Sequence, residues 1–360
     1  MRRIGNLWPR LLTFENLLLA YRKARCGKKQ RKSVAYFTLN LERELLQLQR
    51  ELGEGSYQPG EYRLFTIYER KPRNIAAAPF RDRVVHHALM NVIEPPLDRT
   101  FIYDSYACRK GKGVHAAVAR YQKWAERYGY VLQMDVAQYF SSIDHRILKQ
   151  KLRRRIKDKN ILSLCDQIID TGPQQPADGR IYFPGDDLLT PIERPRGIPI
   201  GNLTSQILAN LYLDELDHAI KEQFRIAAYL RYVDDLAILD DDKGRLHELR
   251  EWVRERLVTD RLVLHPRKSH ITPVGVGIDF LGYHLFPQRR LLRNDNGHRF
   301  VRKLRGFARG YAARILDWGD FNPSVQSWIG HAQHADTKGL RRVIFSNTLF
   351  RRGSGQAPTG

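Results

Sequence analysis

The chain has 360 residues, of which 42% are hydrophobic, and 61 Lys and Arg stand against 39 Asp and Glu. Its length predicts two or three domains with buried cores, and its net charge of +22 indicates a polyanionic partner, either nucleic acid or an anionic membrane surface. No apolar run approaches the roughly 18 residues of a membrane span, and the three cysteines are too far apart for a zinc site or a disulfide framework, which fits a reducing cytoplasm.

The N-terminal part is predicted to be helical. Thr13 is placed to cap a first helix, and Asn40 to cap a second one. In the second helix, leucines recur with helical spacing over 41–52, and Gly53 is predicted to end it. A strand over 61–69 follows. These leucines favour a packed helix face rather than a groove for a partner.

Two stretches then place acids beside β-prone apolar sequence. The strand predicted from 130 leads to Asp135, and the stretch 231–239 sets Asp234 and Asp235 between two apolar runs, as at the tip of a hairpin. A bare Asp-Asp pair is usually a solvated turn, and 240–242 is assigned to one. Carboxylates enclosed by apolar sequence need a strong partner, and an all-oxygen site suits Mg²⁺ or Mn²⁺. The chemistry that uses such a site is two-metal phosphoryl transfer.

The segment between the two acids contains further elements. A helix is predicted over 145–170, with a dense basic cluster that is typical of a solvated face and is also suited to contact nucleic acid. An irregular insertion is predicted over 172–196 and a helix over 203–221. The block 197–206 reads Gly-Ile-Pro-Ile-Gly-Asn-Leu-Thr-Ser-Gln and predicts a tight bend before that helix.

The three blocks together carry a resemblance. Tyr-Val-Asp-Asp in an apolar hairpin, an apolar strand ending at Asp135, and the block 197–206 between them resemble the palm of reverse transcriptases, in the order that the family requires. The resemblance extends over 62–345. It implies an α+β fold of the right-hand polymerase type, with the divisions listed here: N-terminal extension and fingers 1–129, palm 130–285 with an insertion at 146–196, thumb 286–350 and flexible tail 351–360.

Finer features narrow the resemblance. Ile200 and Gln206 stand where most reverse transcriptases carry Gln and Pro, and this variant resembles the enzymes of diversity-generating retroelements. The blocks 78–89, 104–113 and 327–332 resemble them as well. The subfamily implies error-prone copying, at adenines, of a template-repeat RNA into cDNA. It also implies template RNA, cDNA or primer, dNTPs and a small basic accessory protein as partners, with no membrane, and the location is predicted to be cytoplasmic.

The resemblance implies roles for individual residues. Asp135, Asp234 and Asp235 would hold two Mg²⁺ ions, with Mn²⁺ as an alternative and the carbonyl of Val136 as a further ligand. Lys268 matches a lysine that protonates the departing pyrophosphate, although an exposed lysine at a strand end is an equal reading. The nucleotide-binding residues would be Lys71 and Arg73 at the triphosphate, Phe140 as a steric gate or a core aromatic, and Ile200 with Gly201 near the new base pair.

Basic residues and one turn are predicted to contact template and primer. Between 289 and 314 nine Arg and Lys alternate with aromatic residues, as in a thumb that holds a duplex by its phosphates. The predicted nucleic-acid contacts are Arg81, Arg109, Lys110, Lys112, Gly282, Tyr283, Arg302, Lys303, Arg305 and Arg309.

Three alternatives remain open. A reverse transcriptase of a retron or group II intron lineage is disfavoured by Ile200 and Gln206. An RNA-binding protein with a retired polymerase fold is disfavoured by the intact set of three acids. A metal nuclease would share the acids but would leave the Gly201 block and Phe140 without a purpose.

Overall fold

The computed structural model describes residues 3–68, 72–173 and 181–352. Lys71 and the predicted tail from 353 onward lie outside the described residues. The chain forms two compact units, each built from three segments. The first unit comprises Met1–Gly113, Gln133–Ala237 and His247–His270, and the second comprises Val114–Leu132, Ile238–Leu246 and Ile271–Gly360. The finer division into fingers, palm and thumb stays a prediction.

The helices of the described part are listed in chain order. They are α1 (Trp8–Leu11), α2 (Phe14–Arg25), α3 (Lys32–Leu39), α4 (Leu41–Glu54), α5 (Phe80–Asp98), α6 (Val114–Ala125), α7 (Tyr139–Ser142), α8 (His145–Arg155), α9 (Lys159–Thr171), α10 (Thr190–Glu193), α11 (Leu203–Tyr212), α12 (Asp214–His218), α13 (Lys243–Thr259), α14 (Asn294–Ala312), α15 (Trp318–Ala332) and α16 (Lys338–Ser346). A π-helical turn, Ala219–Gln223, follows α12, and a 3₁₀ turn spans Val274–Val276.

The strands form three sheets. They are β1 (Arg63–Tyr68), β2 (Pro72–Ala77), β3 (Tyr130–Asp135), β4 (Tyr229–Tyr232), β5 (Asp235–Asp240), β6 (His270–Pro273), β7 (Ile278–Phe280), β8 (Tyr283–Leu285) and β9 (Arg290–Leu292). An antiparallel pair joins β1 to β2, a four-stranded sheet has the order β4-β5-β3-β6, and an antiparallel sheet has the order β7-β8-β9. Helices packed with antiparallel strands confirm the predicted α+β class.

The N-terminal helices form as the sequence predicts, except at their ends. The Thr13 side chain accepts a hydrogen bond from the Asn16 amide and caps α2, whereas Asn40 makes no side-chain cap for α4. Leu45, Leu48 and Leu52 of α4 are buried, as expected, whereas Leu41 is only partly buried. The prediction that Gly53 ends this helix was wrong. It runs on to Glu54, because Gly55 adopts the left-handed conformation (φ +72°) that closes the helix.

Two long helices predicted in the middle of the chain are interrupted. The stretch 145–170 is two helices, because the Asp158 side chain accepts a hydrogen bond from the Ile161 amide and caps α9. The same carboxylate also accepts hydrogen bonds from the amides of Leu7 and Trp8. The stretch 203–221 breaks at Leu213, between α11 and α12.

The second unit has a core of its own. The rings of Phe300 and Trp328 stack with their centroids 3.8 Å apart, and Leu304 is buried beside them. Four cations on the opposite side of α14 are exposed, and we call them the basic face of α14: Arg302, Lys303, Arg305 and Arg309. Among the described residues, no helix combines the length and the apolar character needed to cross a membrane.

Candidate active site

The hairpin that carries the two adjacent acids is set by its apolar flanks. Leu230 in β4 and Leu236 in β5 are buried, so the turn between the strands is fixed at both ends. Val233 adopts a left-handed conformation in this turn (φ +57°). A β-branched residue there costs roughly 1–3 kcal/mol. The turn overrides the alternation of side chains along a strand, so that Asp234 and Asp235 both come close to Asp135.

Asp135 reaches the same point from the neighbouring strand. It ends β3, which lies next to β5, and its side chain is buried. The Val136 amide donates a hydrogen bond to the carbonyl of Asp234 (3.1 Å), and the His265 amide donates one to the carbonyl of Asp135 (2.7 Å). These backbone bonds hold the three predicted acids together. Val136 is buried beside them, and the role of its carbonyl as a ligand stays a prediction.

The charges of this site are poorly compensated. Burial, together with the charge of Asp135, raises the pKa of Asp234 to about 6. Burial, together with the charges of Asp234 and Asp135, raises the pKa of Asp235 to about 7. Lys268 opposes both shifts, and its Nζ lies 2.6 Å from Oδ2 of Asp135. The structure therefore brings Lys268 into the site, while its role as a proton donor stays a prediction.

The donor set fits a divalent cation in kind. Three carboxylates offer hard oxygen ligands and an excess of negative charge, which is what Mg²⁺ and Mn²⁺ select. One of these oxygen ligands is already occupied, because the Lys268 ammonium group donates a hydrogen bond to the Asp135 carboxylate. Among the residues that the structure describes, no group of three or more His, Cys, Asp or Glu side chains is arranged so that it could hold an ion as it stands.

Of the predicted nucleotide-binding residues that the structure describes, Arg73 lies near the acids. Arg73 is exposed on β2 and is close enough to Asp234 to lower the pKa of that carboxyl. The Ala76 amide of the same strand donates to the carbonyl of Ile200 (3.1 Å). Gly201 (φ +109°) follows, and a Cβ there would lie 3.0 Å from Cγ2 of Ile75, so the close approach to β2 needs glycine.

Phe140 is joined to the same block. Its carbonyl accepts a hydrogen bond from the Ile198 amide (2.9 Å), and its side chain is half-buried. Tyr139 beside it is buried and donates from its hydroxyl to the carbonyl of Ala209 (2.5 Å). Phe140 thus has a fixed backbone and a partly free ring, and its role as a steric gate stays a prediction.

Several predicted nucleic-acid contacts prove to be internal. The Arg109 guanidinium donates to the carboxylate of Asp98 (2.5 Å) and to the carbonyls of Ile102 (2.7 Å) and Ser105 (2.9 Å). Its side chain is 8% exposed, and its predicted contact with the template stays a prediction. Tyr283 is also internal, because its ring is buried and its hydroxyl donates to the carbonyl of His331 (3.0 Å), and its predicted contact with the primer stays a prediction.

The other predicted contacts differ in accessibility. Arg81 forms an ion pair with Glu51 (2.7 Å) and is only partly exposed. Lys110 is exposed, whereas Lys112 donates to the carbonyl of Tyr103 (2.9 Å) and lies over the ring of that residue. Gly282 is partly exposed in a turn with φ +92°. The basic face of α14 is available to solvent along its length.

Much of the basic cluster of α8 is held in ion pairs, although Arg153 and Arg154 are exposed. Lys149 pairs with Asp170 (2.6 Å), Arg153 with Asp166 and Arg155 with Asp214. These ion pairs join α8 to α9 and α12, and the predicted contact of the cluster with nucleic acid stays a prediction.

Sequence reasoning missed one group at the site, which consists of Arg231, Asp217 and Asn210. Arg231 is fully buried in β4 and is hydrogen bonded to both of the other residues. The available signal was an arginine inside an apolar strand, directly before Tyr232, because a buried cation requires a buried partner.

A comparison with protein families agrees with this geometry. A family model described as reverse transcriptase (RNA-dependent DNA polymerase) matches residues 67–285, more than half of the chain. The chain belongs to the reverse transcriptase family. The predicted assignment to an RNA-directed DNA polymerase is thereby confirmed at the level of the family, whereas the subfamily is not decided by this match.

Relatives of this reverse transcriptase include intron-encoded proteins. Protein YkfC of Escherichia coli is 27% identical over 68% of this chain and 72% of its own length. The group II intron-encoded protein LtrA of Lactococcus lactis is 23% identical over 49% of this chain, which spans only 28% of that protein. Among solved structures, apo telomerase from Candida tropicalis is 11% identical, with 66% of this chain and 49% of that chain covered and a TM-score of 0.48.

Proposed function

We propose that this reverse transcriptase copies RNA into DNA by two-metal nucleotidyl transfer, with Asp135, Asp234 and Asp235 as the metal ligands. The observation that carries the proposal is the meeting of three carboxylates from adjacent strands, where their mutual repulsion and burial raise the pKa values of Asp234 and Asp235. Bound Mg²⁺ or Mn²⁺ supplies charge stabilisation for the attacking and leaving oxygens.

The residues around the carboxylates have complementary tasks in this proposal. Arg73 neutralises the triphosphate of the incoming dNTP, together with Lys71, which the sequence places two residues earlier. Lys268 is released from Asp135 and gives a proton to the departing pyrophosphate. The basic face of α14 holds the template–primer duplex by its phosphates.

The test is Asp234→Asn in the full chain. The amide keeps the shape of the side chain but removes the charge that a metal requires, so primer extension on RNA should be lost while RNA affinity stays near wild type. Asp240→Asn is the matched control, because Asp240 ends β5, the strand that begins directly after Asp234, and pairs with Arg245. Extension by Asp234→Asn at the rate of this control would refute the assignment of the metal ligands.

We further propose that the template is the repeat RNA of a diversity-generating retroelement, copied with errors at adenine and with a small basic accessory protein as partner. Ile200 and Gln206 support this proposal. The group II intron-encoded relative supports the alternative of an intron lineage. Sequencing of cDNA made on one defined RNA separates the two, because an excess of substitutions opposite template adenine is expected only for the first. An even, low error rate would favour the intron lineage.

A further inference from the structure

Arg231, in the first strand of the hairpin that carries Asp234 and Asp235, forms a buried ion pair with Asp217. Its Nε lies 2.8 Å and 3.0 Å from the two carboxylate oxygens of Asp217, and its Nη2 lies 2.6 Å from one of them. The Tyr229 hydroxyl also donates to Asp217 (2.6 Å). The side chains of Arg231 and Asp217 are both 0% exposed, so nothing from solvent competes for these bonds.

The other edge of the guanidinium reaches the turn itself. Nη1 of Arg231 donates to the carbonyl of Val233 (3.0 Å) and to Oδ1 of Asn210 (3.2 Å), and Nη2 donates to the carbonyl of Asn210 (3.1 Å). Val233 is the residue in the left-handed conformation, directly before Asp234. The next carbonyl, that of Asp234, is held by the Val136 amide (3.1 Å). Two consecutive carbonyls of the strained turn, those of Val233 and Asp234, therefore accept hydrogen bonds from outside the turn.

The backbone of Arg231 ties the same centre to a second segment. Its amide donates to the carbonyl of Asp104 (3.0 Å), and its carbonyl accepts from the Tyr106 amide (2.9 Å). The side-chain amide of Asn210 donates to the carbonyl of Ala107 (2.8 Å). Movement of Arg231 would thus displace the hairpin and the segment before Lys110 together.

Stability alone is a poor reason to keep such a pair. A buried ion pair is often no more stabilising than apolar residues of the same volume, because two charges must leave water. A hairpin with a strained valine would relax if its carbonyl were released. The arrangement therefore favours a role in geometry.

We propose that Arg231 is a positioning residue, whose guanidinium, oriented by Asp217 and Asn210, fixes the Val233 carbonyl and so sets the direction of the Asp234 and Asp235 carboxylates toward Asp135. This proposal rests on the proposed function of the three acids as metal ligands. It assigns to a buried arginine, which touches neither nucleotide nor template, control over how the ligand set forms.

The deciding variant is the double substitution Arg231→Met/Asp217→Asn. Arg231→Met alone would leave the buried Asp217 carboxylate without a cation. The protein would then unfold because of an unpaired buried charge and not because of positioning. In the double variant both charges are gone, and the Asn amide oxygen still accepts the Tyr229 hydroxyl. What stays lost are the bonds from the guanidinium to the Val233 carbonyl and to the carbonyl and Oδ1 of Asn210. Arg231→Lys is the second variant, because an ammonium group can pair with Asp217 but lacks the planar fork that reaches Val233 as well.

Three quantities are measured on the full chain: melting temperature, kcat with KM on a primed RNA, and Mn²⁺ affinity by electron paramagnetic resonance. Both variants should remain folded at the assay temperature and keep KM for the primed RNA. Their kcat and their Mn²⁺ affinity should each fall about 10–100-fold. The matched control is Arg194→Met/Asp186→Asn, a buried pair in the insertion, which should leave kcat and Mn²⁺ affinity unchanged.

Folded variants with the kcat and Mn²⁺ affinity of wild type would overturn the positioning role. The outcome for Asp234→Asn, measured in parallel, keeps the two proposals apart. If Asp234→Asn extends primers normally, the metal-ligand assignment fails. If it is inactive while both Arg231 variants are fully active, only the positioning role fails.

Discussion

Arginines in two regions of this molecule have the same charge and opposite uses. Arg109 and Arg231 lie inside the first unit, where carbonyls and carboxylates take up their guanidinium donors. The basic face of α14, in the second unit, is exposed to solvent. The net charge of +22 therefore includes buried cations, and the positive charge available to a polyanion at the surface differs from that total. The use of a cation is decided by the acceptors around it, and the two regions should respond differently to its removal.

The largest expected effect is at Arg109. Arg109→Met removes a charged donor from Asp98 and leaves the carbonyls of Ile102 and Ser105 without partners, so the free energy of unfolding should fall by about 2–4 kcal/mol. Affinity of the folded protein for primed RNA should not change. Denaturant titration and filter binding measure the two quantities. Lys110→Met is the paired variant, because Lys110 is exposed next to it and its loss should leave stability unchanged. Weaker RNA binding by folded Arg109→Met, with stability intact, would reverse the comparison.

On the exposed side, the basic face of α14 should give a loss of affinity alone. The triple variant Arg302→Gln/Arg305→Gln/Arg309→Gln should weaken binding of primed RNA by about 10–100-fold near physiological salt, and the slope of log affinity against log salt should fall by about 2–3. The melting temperature should stay constant. The control is Arg10→Gln/Arg43→Gln/Arg50→Gln, which makes the same change in charge at exposed positions of the N-terminal helices. Equal losses in both variants would mean that only net charge matters.

The difference between these regions also explains what the sequence could predict. The hairpin, the strand ending at Asp135 and the basic face of α14 depend on local apolar patterns, and all were predicted. The place of Arg109 was not, because its partners include a carboxylate eleven residues away that no local pattern identifies. The break near Asp158 has a local cap, but the same carboxylate also binds the Leu7 amide, far along the chain, which no local pattern identifies. Arg231 and Asp217 likewise meet only after the helices have packed.

The buried acids of the candidate site test the same rule, that the groups around a charged side chain decide its effect on stability. The ordinary pKa of an Asp carboxyl is 3.8, and that of Asp235 is raised to about 7 in the folded state. A raised pKa means that the favourable contribution of the protonated carboxyl is complete below the unfolded pKa and is lost as pH rises through about 7. Wild type should therefore be less stable than Asp235→Asn at pH 8 without divalent cations, by roughly 5 °C in melting temperature.

The dependence of the melting temperatures on pH and on Mg²⁺ checks the direction of this difference between wild type and Asp235→Asn. The advantage of Asp235→Asn should vanish below about pH 3, where the carboxyl is protonated in both states. At pH 8, Mg²⁺ should raise the melting temperature of wild type and not that of the variant, because a ligand stabilises the state that binds it. A variant that is less stable than wild type at pH 8 would contradict the charge repulsion inferred for this site.

Ile200 is neither fully buried, like Arg231, nor fully exposed, like the basic face of α14. Its substitution should give the smallest of the predicted effects. Its carbonyl is held by the Ala76 amide, while its side chain is only partly buried. An Ile side chain can neither donate nor accept a hydrogen bond, whereas the Gln expected at this position in most relatives offers an amide to the new base pair. One such bond of about 0.5–1.5 kcal/mol corresponds to about a 2–13-fold change in selectivity. Ile200→Gln should therefore lower misincorporation opposite template adenine by a few fold, with less effect at other bases.

The measurement is deep sequencing of cDNA made on one RNA by wild type and Ile200→Gln under identical conditions. Ile200→Leu is the matched control, because it keeps the apolar volume without adding an amide, and its error rate should equal that of wild type. Ile200 alone accounts for part of an error-prone phenotype, since one hydrogen bond cannot supply a larger factor. An unchanged adenine error rate in Ile200→Gln, with synthesis intact, would reduce Ile200 to a packing residue against β2 and would move the search for the source of infidelity to other residues around the nucleotide.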